Sequence, residues 1–135
     1  MTVRSLPAVL LLATTLVAAP GCALAVLGAG AGAGYVITRE LGDEGGLEAE
    51  VREDVDKVWL ATIESLDILH DLNTEVVLQD FPREARAVVD GREVWVQVEA
   101  YDLDRTLVVV HARGPLGPDD KAERRLLDDL IARLQ

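Results

Sequence analysis

The residues of this chain that could do chemistry are few, and their spacing decides between rival readings. Nucleophilic catalysis needs Ser, Thr or Cys beside a positioned base. Beyond residue 22 the chain carries one serine, Ser65, with His70 five positions later. On a helix that spacing turns the two apart, because side-chain neighbours stand three or four positions away. His70 reads instead as a polar helix end, favoured beside the negative end of the dipole. A zinc site requires three or four clustered His, Cys or carboxylate ligands, which His70, His111 and Cys22 do not supply. Asp102-x-Asp104 could touch a hard cation, but turn chemistry accounts for both residues. Asp119-Asp120 and Asp128-Asp129 read as helix caps and a solvated helix face. Gly28-x-Gly30-x-x-Ala33 fits a relaxed dinucleotide fingerprint, yet the fingerprint needs a strand before it and an unbroken helix after it. A leader segment precedes it, and Gly42, Gly45 and Gly46 interrupt the stretch on its C-terminal side. No catalytic residue, no cofactor and no metal ligand is therefore expected.

Cys22 is the residue with an assignable chemical role. Residues 1–21 carry one charge, Arg4, then an apolar run from Leu6 to Ala19 and Pro20-Gly21 before the cysteine. A basic start, an apolar middle and small residues at the cut define a secretory signal, and the run is shorter than the ~18 apolar residues of a membrane span. A cysteine directly after such a segment matches the bacterial lipoprotein cleavage box, with Ala19 and Pro20 departing from its usual residues. Cys22 is accordingly the expected lipidation site, held in the bilayer at ~0.8 kcal/mol per buried methylene. Ala23, not an acid, follows it, which suits passage to the outer membrane. The expected location is the periplasmic face of that membrane.

Charge narrows the partners. The 135 residues hold 13 basic and 24 acidic side chains, a formal net charge of −11, and cleavage before Cys22 would remove only Arg4. Nucleic-acid binding rests on clustered Lys and Arg, whereas the bases here are scattered singly except for Arg124-Arg125. Nucleic acid is excluded on that ground. Membrane contact is expected through an acyl chain, and the remaining candidates are an envelope protein or a glycan.

The elements that position these residues follow from periodicity. The Gly-Ala stretch after Cys22 reads as a small-residue spacer, so residues 22–46 are expected to form a lipidated cysteine plus tether and residues 47–135 a folded domain. Gly28-xxx-Gly32 and Gly30-xxx-Gly34 would alternatively let apolar helices pack closely. Leu47, Ala49 and Val51 alternate with charges, as in a short edge strand. Asp54 is placed to cap a helix running to Leu69, whose Val55, Val58, Trp59, Thr62, Ile63, Leu66 and Leu69 recur at helical spacing. A strand is expected over Thr74–Phe81, stopped by Pro82. Asp90-Gly91 between two apolar runs marks a two-residue hairpin, and Asp102-Leu103-Asp104 closes a second. If the second loop pairs Tyr101 with Arg105, then Val94, Val96 and Val98 share a face with Val108, Val110 and Ala112. The opposite face then pairs Trp95 with His111, Gln97 with Val109 and Glu99 with Leu107, with Arg86 beside Trp95. Arg86, Trp95, Gln97 and His111 form the candidate interaction face. A terminal helix begins at Asp119 or Asp120, with Leu126, Leu127, Leu130 and Ile131 on its apolar stripe. The expected fold is a two-layer α+β domain, an antiparallel sheet of about four strands with two helices on one face, in the order helix, four strands, helix.

In this order the residues resemble a known family. Gly-Cys-Ala, a Gly-Ala run ending in Gly34-Tyr35-Val36, Leu-Gly, then Asp56-Lys57-Val58-Trp59-x-Ala61-Thr62, the Asp-Gly-Arg hairpin and Gly114 before a terminal helix resemble the small bacterial lipoproteins catalogued as domain of unknown function 3568. The resemblance implies an envelope lipoprotein and supplies no activity or catalytic residue.

Overall fold

A computed structural model describes residues 26–27 and 34–135. The leader, Cys22 and residues 28–33 of the Gly-Ala run lie outside the described residues. The elements in chain order are β1 (Val26–Leu27), β2 (Tyr35–Glu40), a 3₁₀ turn (Gly42–Glu44), β3 (Leu47–Val51), α1 (Val55–Leu69), β4 (Val77–Asp80), β5 (Arg83–Val89), β6 (Arg92–Asp102), β7 (Arg105–Gly114), β8 (Gly117–Pro118) and α2 (Asp120–Arg133).

The α+β class holds, but the arrangement is larger than helix, four strands, helix. All strands join one antiparallel sheet in the order β1-β2-β3-β7-β6-β5-β4, with β8 returning on β7. Among the described residues three strands precede α1. Leu47–Val51 is an interior strand, paired with β2 on one side and β7 on the other, and its alternate residues Leu47, Ala49 and Val51 are buried. The expectation of an edge strand fails because β3 pairs on one side with β2, just across the glycine-rich turn, and on the other with β7, about sixty residues away.

The expected boundary at residue 47 also moves. Tyr35–Glu40, placed in the tether by its composition, forms β2, and the Tyr35 ring is buried. The Tyr35 hydroxyl donates to Asp128 Oδ1 on α2 at 2.6 Å. Burial, with the Asp128 carboxylate beside it, pushes the phenol up to about 12. Arg124 of α2 pairs with Glu40 at the other end of β2, so the terminal helix holds this strand at two points.

Local chemistry sets the helices. The Asp54 carboxylate accepts the amides of Asp56 (2.9 Å) and Lys57 (3.4 Å), the capping that an extended N-cap acid provides. Asp119 does the same for Ala122 at 3.0 Å while pairing with Arg92 of β6. α1 lies against β5, β6 and β7, and α2 against β7 and β3, with the helices touching each other. Val58 and Leu66 from α1, Leu126, Leu127 and Leu130 from α2, and the inward valines of β6 and β7 make one core.

The hairpins follow the sequence closely. Asp90 and Gly91 take φ of 50° and 72°, as a two-residue turn with both φ positive requires. Asp71, just beyond α1, accepts both turn amides at 2.8 Å. Trp95 pairs with His111, Gln97 with Val109, Glu99 with Leu107 and Arg86 with Trp95. The loop differs from expectation: Asp102, not Tyr101, pairs with Arg105, and the register shifts between Ala100 and Asp102. Tyr101 is the extra residue of a bulge. A two-residue loop plus one bulged residue restores the register that a three-residue loop would give. The strand expected over Thr74–Phe81 is shorter, Val77–Asp80.

A chain beginning at Leu47 is expected to be less stable than one beginning at Ala23, with Tm lower by more than about 10 °C. It loses β3's outer partner and the hydroxyl-to-carboxylate bond of Tyr35, itself worth about 1.5–3 kcal/mol. Thermal denaturation of the two chains side by side measures the difference.

Candidate functional site

With Val94, Val96, Val98, Val108, Val110 and Ala112 buried under the helices, the pleat turns the intervening residues of β6 and β7 to the opposite face. Two of these outer residues, Trp95 and His111, continue a lateral row that crosses four strands. Val77 of β4 is opposite Arg86 of β5, Arg86 opposite Trp95 of β6, and Trp95 opposite His111 of β7. All four sequence-derived members of the candidate face are therefore brought together, Gln97 lying one step along β6 from Trp95 on the same side.

A fifth member is not apparent from the sequence. Glu84 pairs with Gln97 in the ladder and is only 7% exposed, although it faces outward. One of its oxygens takes the Arg86 Nε–H and the other takes Gln97 Nε2 at 2.9 Å. These bonds, Gln97 first and then Arg86, hold its carboxyl below the usual range. The signal that could have found it is two-residue alternation with Arg86, visible once β5 is known to begin at Arg83.

Glu84 fixes Arg86 and Gln97 without using them up. Among the described residues the terminal nitrogens of Arg86 make no hydrogen bond, nor does the indole N–H of Trp95, while the Gln97 carbonyl stays open. The Trp95 and His111 rings stack at 4.5 Å between centroids and 14° between planes. Beyond His111 the buried Gly45-Gly46 pair closes the row. Gly46 has φ of +119°, and a Cβ there would stand 2.6 Å from the imidazole Cε1 and Nδ1, so only glycine lets the turn rest on the ring. Burial drives the His111 imidazole below its ordinary 6.5, Arg113 adding to the effect and Gly45, Glu44 and Glu84 opposing it. At neutral pH it is an uncharged aromatic plate. A groove of about 560 Å³ lies over the Val77, Arg86 and Trp95 part of the row, bordered also by Glu75, Glu84 and Gln97, and His111 is not in its lining. Its chemistry is that of an aromatic surface flanked by a cation and fixed hydrogen-bonding groups, suited to a ligand rich in acceptors.

The remaining sites of interest are dispersed. The Ser65 hydroxyl is buried in α1 and makes no hydrogen bond among the described residues, while His70 caps the same helix with Nδ1 3.1 Å from the Leu66 carbonyl. Asp102 accepts the Leu103 amide at 2.8 Å and pairs with Arg105, as turn chemistry requires. No group of three or more His, Cys, Asp or Glu among the described residues is arranged to hold a metal ion. A second notch of about 240 Å³ opens between the Asp90-Gly91 hairpin and the helices, floored by Leu69, Val94 and Leu126. Its rim arginines are already engaged, Arg92 by Asp119 and Arg125 by Asp90. Among the described residues no helix is long and apolar enough to cross a membrane.

Fold and face together define a small α+β protein with an open polar and aromatic sheet surface. Comparison with known proteins then places it: the family model described as Protein of unknown function (DUF3568) matches residues 5–133, and the chain belongs to that family. No curated protein and no solved structure matches it.

Because the unfolded chain binds a proton at His111 more readily than the folded one, the stability His111 contributes is complete above 6.5 and declines as pH falls below that value toward the lowered native one. A His111→Phe variant, which keeps an aromatic against Trp95, is expected to lose less stability than the wild type between about pH 7.5 and 5.5. Urea denaturation at the two pH values reads the contrast, and equal losses would show that His111 carries none of the dependence.

Proposed function

We propose that this protein is a lipid-anchored module of the bacterial cell envelope, held by Cys22 on the periplasmic face of the outer membrane, and that its outer sheet face binds another envelope component without catalysing a reaction. The observation that carries this reading is the held cluster of Glu84, Arg86 and Gln97 beside the Trp95–His111 stack. A buried acid that keeps a cation and an amide in place while leaving their outward groups free makes a preorganised recognition surface, because little side-chain entropy is left to lose on binding. The position of Cys22 directly after a signal-type segment supports the anchor. The excess of acids over bases favours an envelope protein or glycan over nucleic acid. The alternative, an envelope hydrolase or accessory enzyme subunit, gains nothing from Ser65 and His70, which sit in separate surroundings.

Two measurements test the two halves. Labelled palmitate is expected to enter the full chain expressed in a Gram-negative host and not a Cys22→Ser variant; equal labelling, or none in the wild type, would contradict the anchor. In envelope extracts, a partner retained by the wild type is expected to be lost from Arg86→Ala and Trp95→Ala variants of unchanged fold. Turnover of an envelope substrate by the purified protein would replace the binding reading with an enzymatic one.

A further inference from the structure

The row that ends at His111 on one side ends at an open sheet edge on the other. Among the described residues β4 has β5 as its only neighbour in the sheet, and all four of its residues are exposed. Antiparallel pairing directs the N–H and C=O of every second residue away from the partner strand, so β4 offers unpaired backbone donors and acceptors along its outer side. Natural edges are commonly blunted by lysines, bulges or a covering helix. Here the helices lie over β3, β5, β6 and β7. β4 instead presents Val77 and Leu78, 59% and 47% exposed, with Phe81 beyond them at 91%.

The charges without an ion-pair partner that flank this strand have one sign. On the neighbouring strand Arg83 is paired with Asp56 and Arg86 with Glu84, whereas Glu75 and Asp80, flanking the apolar residues, form no ion pair among the described residues. A second copy would bring these acids against its own in a chain of net charge −11, which opposes self-pairing. The segment that leads into the fold enters through β1 at the opposite edge of the sheet. Six strand spacings separate the two edges, about 29 Å.

We propose that β4 is a docking edge: it takes an extended segment of a partner protein, apolar at alternate positions and basic at both ends, as the next strand of the sheet. Backbone pairing supplies affinity in such strand addition, and alternate side chains supply specificity. One side chain of the added strand would stand beside Val77 and lengthen the Val77, Arg86, Trp95, His111 row. The inference deepens the reading of the outer face as a binding surface and rests on it for that contact. β1, the described strand that follows Cys22 in sequence, and the docking strand then lie at opposite edges of one sheet.

The test uses the full chain and two synthetic peptides about nine residues long, both alternating valine and threonine, one ending in lysine pairs and the other in glutamate pairs. The lysine-ended peptide is expected to bind roughly tenfold more tightly and to slow amide exchange at Val77–Asp80. Glu75→Lys with Asp80→Lys should reverse the preference. Gln79→Pro, at an exposed edge position where proline is tolerated, should abolish binding of either peptide with Tm unchanged. Equal binding of both peptides, no binding, or protection confined to other strands overturns the inference. So does a dimer in sedimentation with β4 already protected. If Trp95→Ala loses the envelope partner while Gln79→Pro keeps it, the edge inference fails and the face reading stands. Loss on Gln79→Pro with retention on Trp95→Ala leaves the edge and removes the face.

Discussion

Both backbone groups of Ala112, near the end of β7, are held by the start of α2. Its carbonyl takes the Asp119 amide at 2.9 Å, and its amide donates to Glu123 Oε1 at 3.1 Å. That double attachment fixes where the terminal helix lies, and much of the rest depends on it. The same first turn secures β6, because Asp119 is both the helix cap and the partner of Arg92. One and two turns further on, Arg124 and Asp128 reach β2 through Glu40 and Tyr35. Glu123 itself is buried, and burial pushes its carboxyl up while the amides of Ala112 and Gly46 work against that shift. A buried carboxyl carries a desolvation cost that only such hydrogen bonds offset.

Once α2 and α1 cover one side of the sheet, the other side is determined by the pleat. Buried valines on β6 and β7 oblige Trp95, Gln97 and His111 to face away, and the Asp90-Gly91 turn sets β5 so that Arg86 arrives beside Trp95. The Gly45-Gly46 turn, pressed against His111 from one side and close to Pro118 and Glu123 on the other, couples the two layers. The outer face is thus a consequence of core packing, which is why its side chains can be held in place without a covering element.

Legibility in the sequence divides by distance along the chain. The β5–β6 and β6–β7 pairings can be worked out residue by residue, because a type-specific turn fixes register and alternation fixes the face. Asp54 and Asp119 are recognisable as caps for the same local reason. β2 is not legible. Its partner β3 and its anchor Asp128 lie beyond a glycine-rich turn and most of the chain respectively, and a small-residue run beside it reads as spacer. Leu47–Val51 shows its alternation but not its interior position, since the ladder to β7 joins residues about sixty apart. Tyr101 pairs on paper with Arg105 because an unpaired bulge residue has no periodic signature. Glu84 stays hidden because a buried acid on an outward face runs against composition, and only its bonds to Arg86 and Gln97 explain it.

These dependencies bring the candidate anchor and the folded sheet close together. Cys22 stands four residues before Val26, the first residue of β1, a span of at most about 14 Å. The domain would then be held against its anchor through β1 and β2, and not carried on a long spacer. Both consequences require β2 to be part of the fold. Native-state amide exchange of the full chain tests this most directly. The amides of β2 that bond to β3 are predicted to exchange nearly as slowly as those of Leu47–Val51, with Tyr35→Phe speeding β2 first. Exchange of residues 35–40 at unprotected rates, with β3 still protected, would contradict it.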